Sequence, residues 1–68
     1  MRVVSGKHLC RGLERRGWVL IRVRGSHYVY AIDQSSVIIS VPVHGNQDLK
    51  RGLLQHLMKL AELTEEDL

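Results

Sequence analysis

Histidine is the residue type in this sequence that is best suited to proton transfer near neutral pH. It occurs as His8, His27, His44 and His56. His27 stands out because Arg22 and Arg24 lie just before it. RNA cleavage needs a base for the 2′-hydroxyl, an acid for the 5′-oxygen and positive charge at the phosphate, which guanidinium groups bind through paired hydrogen bonds. His27 with its two arginines therefore has the residue types of a ribonuclease site, although such a group is more often an ordinary surface feature.

Other common kinds of site find little support in the residue pattern. No two histidines have the spacing of zinc ligands, and Cys10 is the only cysteine, so we expect neither a metal centre nor an internal disulfide. No glycine-rich phosphate loop follows a strand, and no cofactor is indicated. A Ser-His-Asp triad is not excluded by residue types, but Ser26 next to His27 is not in itself the required geometry.

The positive charge of the chain is concentrated in its first half. Residues 1–29 hold seven arginines and lysines and one glutamate, whereas residues 62–68 hold four acidic residues and no basic one. Lys50 and Arg51 add to the basic surface further along the chain. A basic body with an acidic tail favours a polyanionic partner such as nucleic acid, and an ordinary solvated surface is the alternative.

The length of 68 residues suits one small domain spanning residues 1–68, with 62–68 as an acidic C-terminal tail. The longest apolar run is far shorter than the roughly 20 residues of a membrane span. The N-terminus also lacks the apolar region of a signal peptide. Together with the single cysteine, these features predict a cytoplasmic protein that does not enter a membrane.

Turn-forming residues and apolar periodicity predict the element order αβββα. Ser5 is suited to cap a helix N-terminus and Gly17 to end that helix with a positive φ, which predicts helix 6–16. The strands are predicted at 18–24, 27–33 and 37–43, and a second helix begins near residue 52, with Asp48 as a candidate cap. Two helices packed on one face of a three-stranded antiparallel sheet, an α+β fold, is the economical arrangement.

The Gly25-Ser26 pair predicts the two-residue turn of the first hairpin, because glycine at the first position suits a type II′ turn. Arg24 then pairs with His27, and side chains alternate between the two faces of the sheet. The face toward the helices is predicted to hold Val19, Ile21, Val23, Tyr28, Tyr30, Ile32, Val37, Ile39, Val41 and Val43. The open face is predicted to hold Leu20, Arg22, Arg24, His27, Val29, Ala31, Ile38, Ser40 and His44. His27 is therefore expected to be exposed beside two arginines.

The apolar side chains of the helices complete the predicted core. Cys10 and Trp18 are expected to be core residues, and His8 is expected to be solvated. The second helix is predicted to bury Leu49, Leu53, Leu57 and Leu60 or Ala61, with Leu54 and Met58 widening the stripe. Thr64 is placed to cap a last short turn through Asp67.

Three stretches of the sequence resemble segments of HicA-type toxins, in the same order and over nearly the whole chain. Residues 13–18, Leu-Glu-Arg-Arg-Gly-Trp, resemble the end of the first helix and its Gly-aromatic turn. Arg24-Gly25-Ser26-His27 resembles the (Lys/Arg)-Gly-Ser-His signature of that family. Residues 41–44, Val-Pro-Val-His, and 48–54, Asp-Leu-Lys-Arg-Gly-Leu-Leu, resemble the third strand and the start of the second helix.

The resemblance implies a double-stranded-RNA-binding-domain-like fold and a metal-independent endoribonuclease that cleaves mRNA as the toxin of a toxin–antitoxin system. It implies that His27 is the essential histidine and that a HicB-type antitoxin masks the site. We expect RNA contacts from Arg22, Arg24, Gly25, Ser26, Lys50 and Arg51. His44 is a weaker candidate for the second proton-transfer group, because strand alternation is expected to place it on the face of His27. A non-catalytic RNA-binding module and an interaction protein remain as alternatives, and a second copy could cover the partly apolar open face.

Overall fold

The computed structural model describes residues 2–68, which form two α-helices, three strands and a short 3-10 turn. The elements are α1 Gly6–Arg15, β1 Val19–Arg24, β2 His27–Ala31, β3 Ile38–Pro42, α2 Arg51–Ala61 and the 3-10 turn Glu65–Asp67. The strands form one antiparallel sheet in the order β1-β2-β3. The predicted α+β class and αβββα order are confirmed, and the order of helices and strands is that of the double-stranded-RNA-binding-domain-like fold. Among residues 2–68, neither helix is long and apolar enough to cross a membrane.

Both ends of α1 form as the sequence predicts. The Ser5 hydroxyl accepts the His8 backbone N–H over 3.1 Å, so it caps the first turn. At the other end, Gly17 has φ +95° and the Trp18 N–H donates to the Leu13 carbonyl over 3.0 Å. This bond, together with that from Gly17 N–H to the Glu14 carbonyl, forms a Schellman motif, which turns the chain sharply into β1.

The core lies between the two helices and one face of the sheet, here called the helix face. Its most completely buried side chains are Tyr30, Leu9, Leu13, Ile39, Leu54 and Val41. The Tyr30 hydroxyl reaches the edge of this core and donates to Glu14 Oε2 over 2.7 Å. Burial raises the pKa of this hydroxyl, and contacts with the Cys10 thiol and the Glu14 carboxylate raise it further. Cys10 and Trp18 are buried core residues, as predicted.

The predicted strand register is correct near the hairpin turn and wrong beyond it. Arg24 pairs with His27, Val23 with Tyr28 and Arg22 with Val29. An irregularity between Leu20 and Arg22 then shifts the pairing, because Ile21 is an extra residue in β1. Leu20 consequently pairs with Tyr30 and Val19 with Ala31, so the two exchange the faces that strict alternation assigns to them.

The prediction that β1 contributes a buried apolar row is also wrong. Val19, Ile21 and Val23 are 60%, 52% and 51% exposed. The physical reason is that the buried core is built on β2 and β3, whereas β1 contributes no residue to it, although both β1 and β3 are edge strands. On β3, Ile39 and Val41 are fully buried as predicted.

Helix α2 begins and packs somewhat differently from the prediction. Lys50 is its N-terminal flanking residue, so Asp48 does not cap it. The buried residues are Leu54, Leu57, Met58 and Ala61, at helical spacing on one face. Leu53 and Leu60, seven residues apart, lie on the same side of that face and are 38% and 41% exposed. The predicted burial of Leu53 is therefore wrong, and of the two alternatives Leu60 and Ala61 it is Ala61 that is buried.

The acidic tail is packed against α1. Arg16 Nη1 donates to both carboxylate oxygens of Asp67, each over 2.9 Å, and Arg15 Nη2 donates to the Asp67 carbonyl over 2.6 Å. His8 Nε2 lies 2.6 Å from the Leu68 carbonyl oxygen, so His8 is half-buried and not solvated as predicted. The capping box between Thr64 and Asp67 confirms the predicted final turn.

Candidate functional site

His27 lies at the start of β2, on the face of the sheet opposite the helices, here called the open face. As the first residue of the central strand, it pairs with Arg24 of β1 and with Pro42 of β3. Its side chain is exposed, and within residues 2–68 its ring makes no hydrogen bond. The imidazole is therefore free to meet a ligand that approaches the open face.

The two arginines predicted beside His27 lie on the same face. Arg24 is its direct cross-strand neighbour, and Arg22 pairs with Val29, two residues further along β2. Both arginines are exposed, and in the part of the chain that the structure describes neither forms an ion pair with a carboxylate. Val29, which pairs with Arg22 and Ser40, is only 6% exposed. The accessible side chains next to His27 on the open face are therefore mainly charged. Two unpaired guanidinium groups beside an imidazole can bind a phosphodiester.

The turn before His27 is fixed by backbone geometry and by one long-range hydrogen bond. Gly25 has φ +59° whereas φ of Ser26 is not positive, as in a type II′ turn, so the prediction for this turn is confirmed. The Ser26 carbonyl accepts the Val43 backbone N–H over 2.7 Å. This bond ties the turn to the segment 43–50 that follows β3, here called the His44 loop.

The His44 loop is held on its other side by the start of the chain. The Leu49 N–H donates to the Val4 carbonyl over 2.8 Å, and Ser5 forms an isolated bridge with Asp48. Gly6 packs so closely on the end of β3 that a Cβ atom there would overlap the Pro42 carbonyl. The loop therefore has a defined position relative to His27, which is the partner of Pro42 in the sheet.

The remaining predicted site residues belong to this loop and to the start of α2. His44 is exposed and lies two residues after the end of β3, so its position is not set by strand alternation, contrary to the prediction. Lys50 and Arg51 are exposed at the N-terminus of α2. A cleft of about 200 Å³ is lined by Pro42, His44, Gln47, Asp48, Leu49, Lys50 and Leu53. Pro42 thus borders both His27 and the cleft.

The other histidines and the acidic groups form no further cluster of this kind. His8 belongs to the contact between α1 and the tail, and His56 is exposed on α2. Within residues 2–68, no three side chains of histidine, cysteine, aspartate or glutamate converge as a metal site would require.

Residues 6–63 match the protein family described as HicA toxin of bacterial toxin–antitoxin systems. The chain belongs to the HicA toxin family. No curated protein matches the sequence at a significant level. The family assignment confirms the resemblance drawn from residues 13–18, 24–27 and 41–54, and it supports a toxin role and an antitoxin partner for this HicA-family chain.

The cleft of this HicA-family protein could not be predicted from the sequence. The sequence predicts a helix cap at Asp48 and a core residue at Leu53, whereas both residues line the cleft. The available signal was Gly52, which weakens a helix start near Asp48 and favours an irregular segment there. Gln47 and Pro42 carried no signal of their own, since their proximity depends on the fold of the loop.

Proposed function

We propose that this HicA-family protein is a metal-independent endoribonuclease that cleaves mRNA in the cytoplasm, with His27 as its catalytic residue. The observation that carries the proposal is the exposure of the His27 side chain on the open face directly beside Arg24, with Arg22 on the same face. A general acid or base must be within reach of the reacting group, and phosphate charge must be neutralised nearby. This part of the open face offers both.

The chemistry is an in-line transesterification. The ribose 2′-oxygen attacks the adjacent phosphorus, the bond from phosphorus to the 5′-oxygen breaks, and a 2′,3′-cyclic phosphate and a 5′-hydroxyl result. One histidine can take the 2′-hydroxyl proton or supply the proton of the leaving oxygen, since imidazole titrates near neutral pH. Arg24 and Arg22 stabilise the negative charge that develops on the phosphorane oxygens.

The second proton transfer is assigned to His44, as the weaker of the two catalytic candidates. Its support is that the hydrogen bond between Ser26 and Val43 joins the segments next to His27 and His44. A His44→Ala variant should then lose cleavage as His27→Ala does. If only His27→Ala loses activity, a water molecule serves in place of His44.

The rest of the RNA contact surface consists of backbone and basic side chains around His27. Gly25 and Ser26 form the turn where a phosphate can approach the backbone, and Lys50 and Arg51 project from the start of α2. Such contacts act mainly through phosphate charge, so RNA affinity should fall steeply as salt is raised. Replacing Lys50 and Arg51 by glutamine should weaken binding and reduce this salt dependence.

The test of the activity uses induced expression of the wild type and of His27→Ala, scored for growth and for transcript integrity. His56→Ala is a matched control, because His56 is also an exposed histidine but lies on α2. We expect arrest and transcript cleavage with the wild type and with His56→Ala, and neither with His27→Ala. Transcript cleavage by His27→Ala at the wild-type level would contradict the assignment.

A non-catalytic RNA-binding module is the second candidate, because the exposed basic residues of β1 and α2 could bind RNA without any proton transfer. It predicts salt-dependent RNA binding by both wild type and His27→Ala, with no cleavage products from either. The cleavage proposal predicts products from the wild type alone.

We further propose that a HicB-type antitoxin covers the β1 edge and the neighbouring open face. The support is the family assignment together with an edge strand whose outer side has no strand partner among residues 2–68 and whose Val19, Ile21 and Val23 are more than half exposed. A bound protein strand would pair this edge and cover these side chains. Val23→Asp should abolish co-purification with the antitoxin, whereas Ile38→Asp on the opposite edge strand should not. The alternative partner of β1 is a second copy of the chain, which would give a homodimer. If such an interaction is the only role of the protein, no RNA cleavage should be seen.

A further inference from the structure

We infer that the cleft beside His27 is a subsite that recognises one guanine base of single-stranded RNA. The inference rests on the proposed function and extends it from phosphodiester cleavage to the choice of nucleotide. Its starting point is Pro42, which pairs with His27 in the sheet and also lines the cleft. A nucleotide whose phosphate lies at His27 therefore has the cleft next to it.

The size and floor of the cleft suit a single base. Its volume of about 200 Å³ is below the roughly 300–1,000 Å³ of pockets for drug-sized ligands. Pro42, Leu49 and Leu53 supply apolar surface, and the His44 ring supplies a flat one. Bases splayed from single-stranded RNA stack on such side chains, histidine included. Leu53 is 38% exposed, so its side chain offers apolar surface to a base in the cleft.

The charge of the rim favours a base over a phosphate. Asp48 lines the cleft, is exposed, and within residues 2–68 its carboxylate accepts no hydrogen bond. A carboxylate repels a phosphate group but accepts hydrogen bonds from two adjacent donors. Among the four RNA bases, only guanine presents two adjacent donors, N1–H and N2–H, on its Watson–Crick edge. Gln47 and Lys50 add donors that can reach its O6 atom or the neighbouring phosphate.

The cleft is also held in shape before any ligand binds. The bonds from Val43 N–H to the Ser26 carbonyl and from Leu49 N–H to the Val4 carbonyl fix both ends of the His44 loop. A preformed site loses little conformational freedom on binding, so its donors and acceptors can discriminate between bases.

The experiment measures binding of short uridine oligomers, each with a single guanosine, adenosine or cytidine, to the uncleaving His27→Ala protein. We expect the guanosine oligomer to bind roughly tenfold or more tightly than the others, the discrimination expected of one good bidentate contact. Adding Asp48→Asn should remove this preference, because the amide presents only one acceptor. Adding Asp33→Asn should leave it unchanged, since Asp33 is an exposed carboxylate beyond the far end of β2.

The outcomes separate the subsite from the proposed activity. Equal affinity for the three oligomers, or a guanosine preference that survives Asp48→Asn, overturns the subsite and leaves cleavage standing. A guanosine preference that Asp48→Asn removes supports the subsite even if the wild type gives no cleavage products, in which case the catalytic proposal fails alone. If none of the oligomers binds, both the subsite and the proposed RNA-cleaving function are overturned.

Discussion

The backbone N–H of Val43 donates to the carbonyl of Ser26 over 2.7 Å, and this bond joins the two segments that carry His27 and His44. Ser26 is the second residue of the hairpin turn, and Val43 is the first residue after β3. The bond extends the pairing of β2 and β3 beyond the end of the sheet. The proposed site thus depends on backbone contacts as much as on its side chains.

Gly6→Ala should destabilise the protein, because a Cβ atom at Gly6 overlaps the Pro42 carbonyl. Overpacking of this kind costs about 1–3 kcal/mol. Urea unfolding followed by circular dichroism measures the loss. Gly52→Ala is the matched control, since a Cβ there meets nothing within 4 Å and α2 should gain up to about 1 kcal/mol. Equal effects of the two substitutions would contradict this account of Gly6.

Glu62→Gly should stabilise the protein, because Glu62 ends α2 in the left-handed region with φ 57°. The Leu63 N–H donates to the Met58 carbonyl over 2.9 Å, so the chain reversal needs this conformation. A side chain in this region costs about 1–2 kcal/mol. Glycine avoids this cost, but its greater freedom in the unfolded chain offsets part of the gain. We expect a gain of about 0.5–1 kcal/mol in thermal or urea unfolding. Glu65→Gly, within the 3-10 turn, should give no gain.

The contact of the tail with α1 should weaken in acid. The Thr64 backbone N–H and, next, the Arg16 guanidinium lower the pKa of the Asp67 carboxyl below its ordinary value of 3.8. A lowered pKa in the folded state means that the stabilisation is fully present above the unfolded-state pKa and is lost as pH falls through the folded-state pKa. Asp67→Asn should therefore lower stability at neutral pH and lose less than the wild type on titration to about pH 2. Parallel pH curves for the two proteins would show that Asp67 makes no such contribution.

Cys10 should resist alkylation while the protein is folded. Its side chain is 6% exposed, and burial raises the pKa of its thiol despite an opposing hydrogen bond from Tyr30. Since the thiolate is the reactive form, iodoacetamide should label the folded protein far more slowly than the urea-unfolded chain, as followed by mass spectrometry. Similar labelling rates would mean that the core around Cys10 opens readily.

Local signals in the sequence were sufficient for the elements and the hairpin turn. Ser5, Gly17 and Gly25 each act through their own backbone geometry, so their roles could be predicted from residue type and position. The extra residue at Ile21 could not, because a bulge depends on how both strands pack and leaves no mark in an apolar run. The exposure of β1 could not be predicted either, because strand alternation does not show which strands the helices cover.

The candidate site divides in the same way. The placement of His27, Arg22 and Arg24 on the open face followed from the turn and from strand alternation close to it. The cleft did not, because the position of the His44 loop depends on its long-range bonds to Ser26 and Val4. Residues whose position depends on tertiary contacts need the structure before they can be assigned to a site.

The central claim is tested most directly by incubating purified wild type, His27→Ala and His56→Ala with a single-stranded RNA in the presence of EDTA. We expect the wild type and His56→Ala to yield fragments ending in a 2′,3′-cyclic phosphate, and His27→Ala to be slower by about 10²-fold or more while binding the RNA equally well. Cleavage by His27→Ala at the wild-type rate, or no cleavage by the wild type at all, would contradict the account.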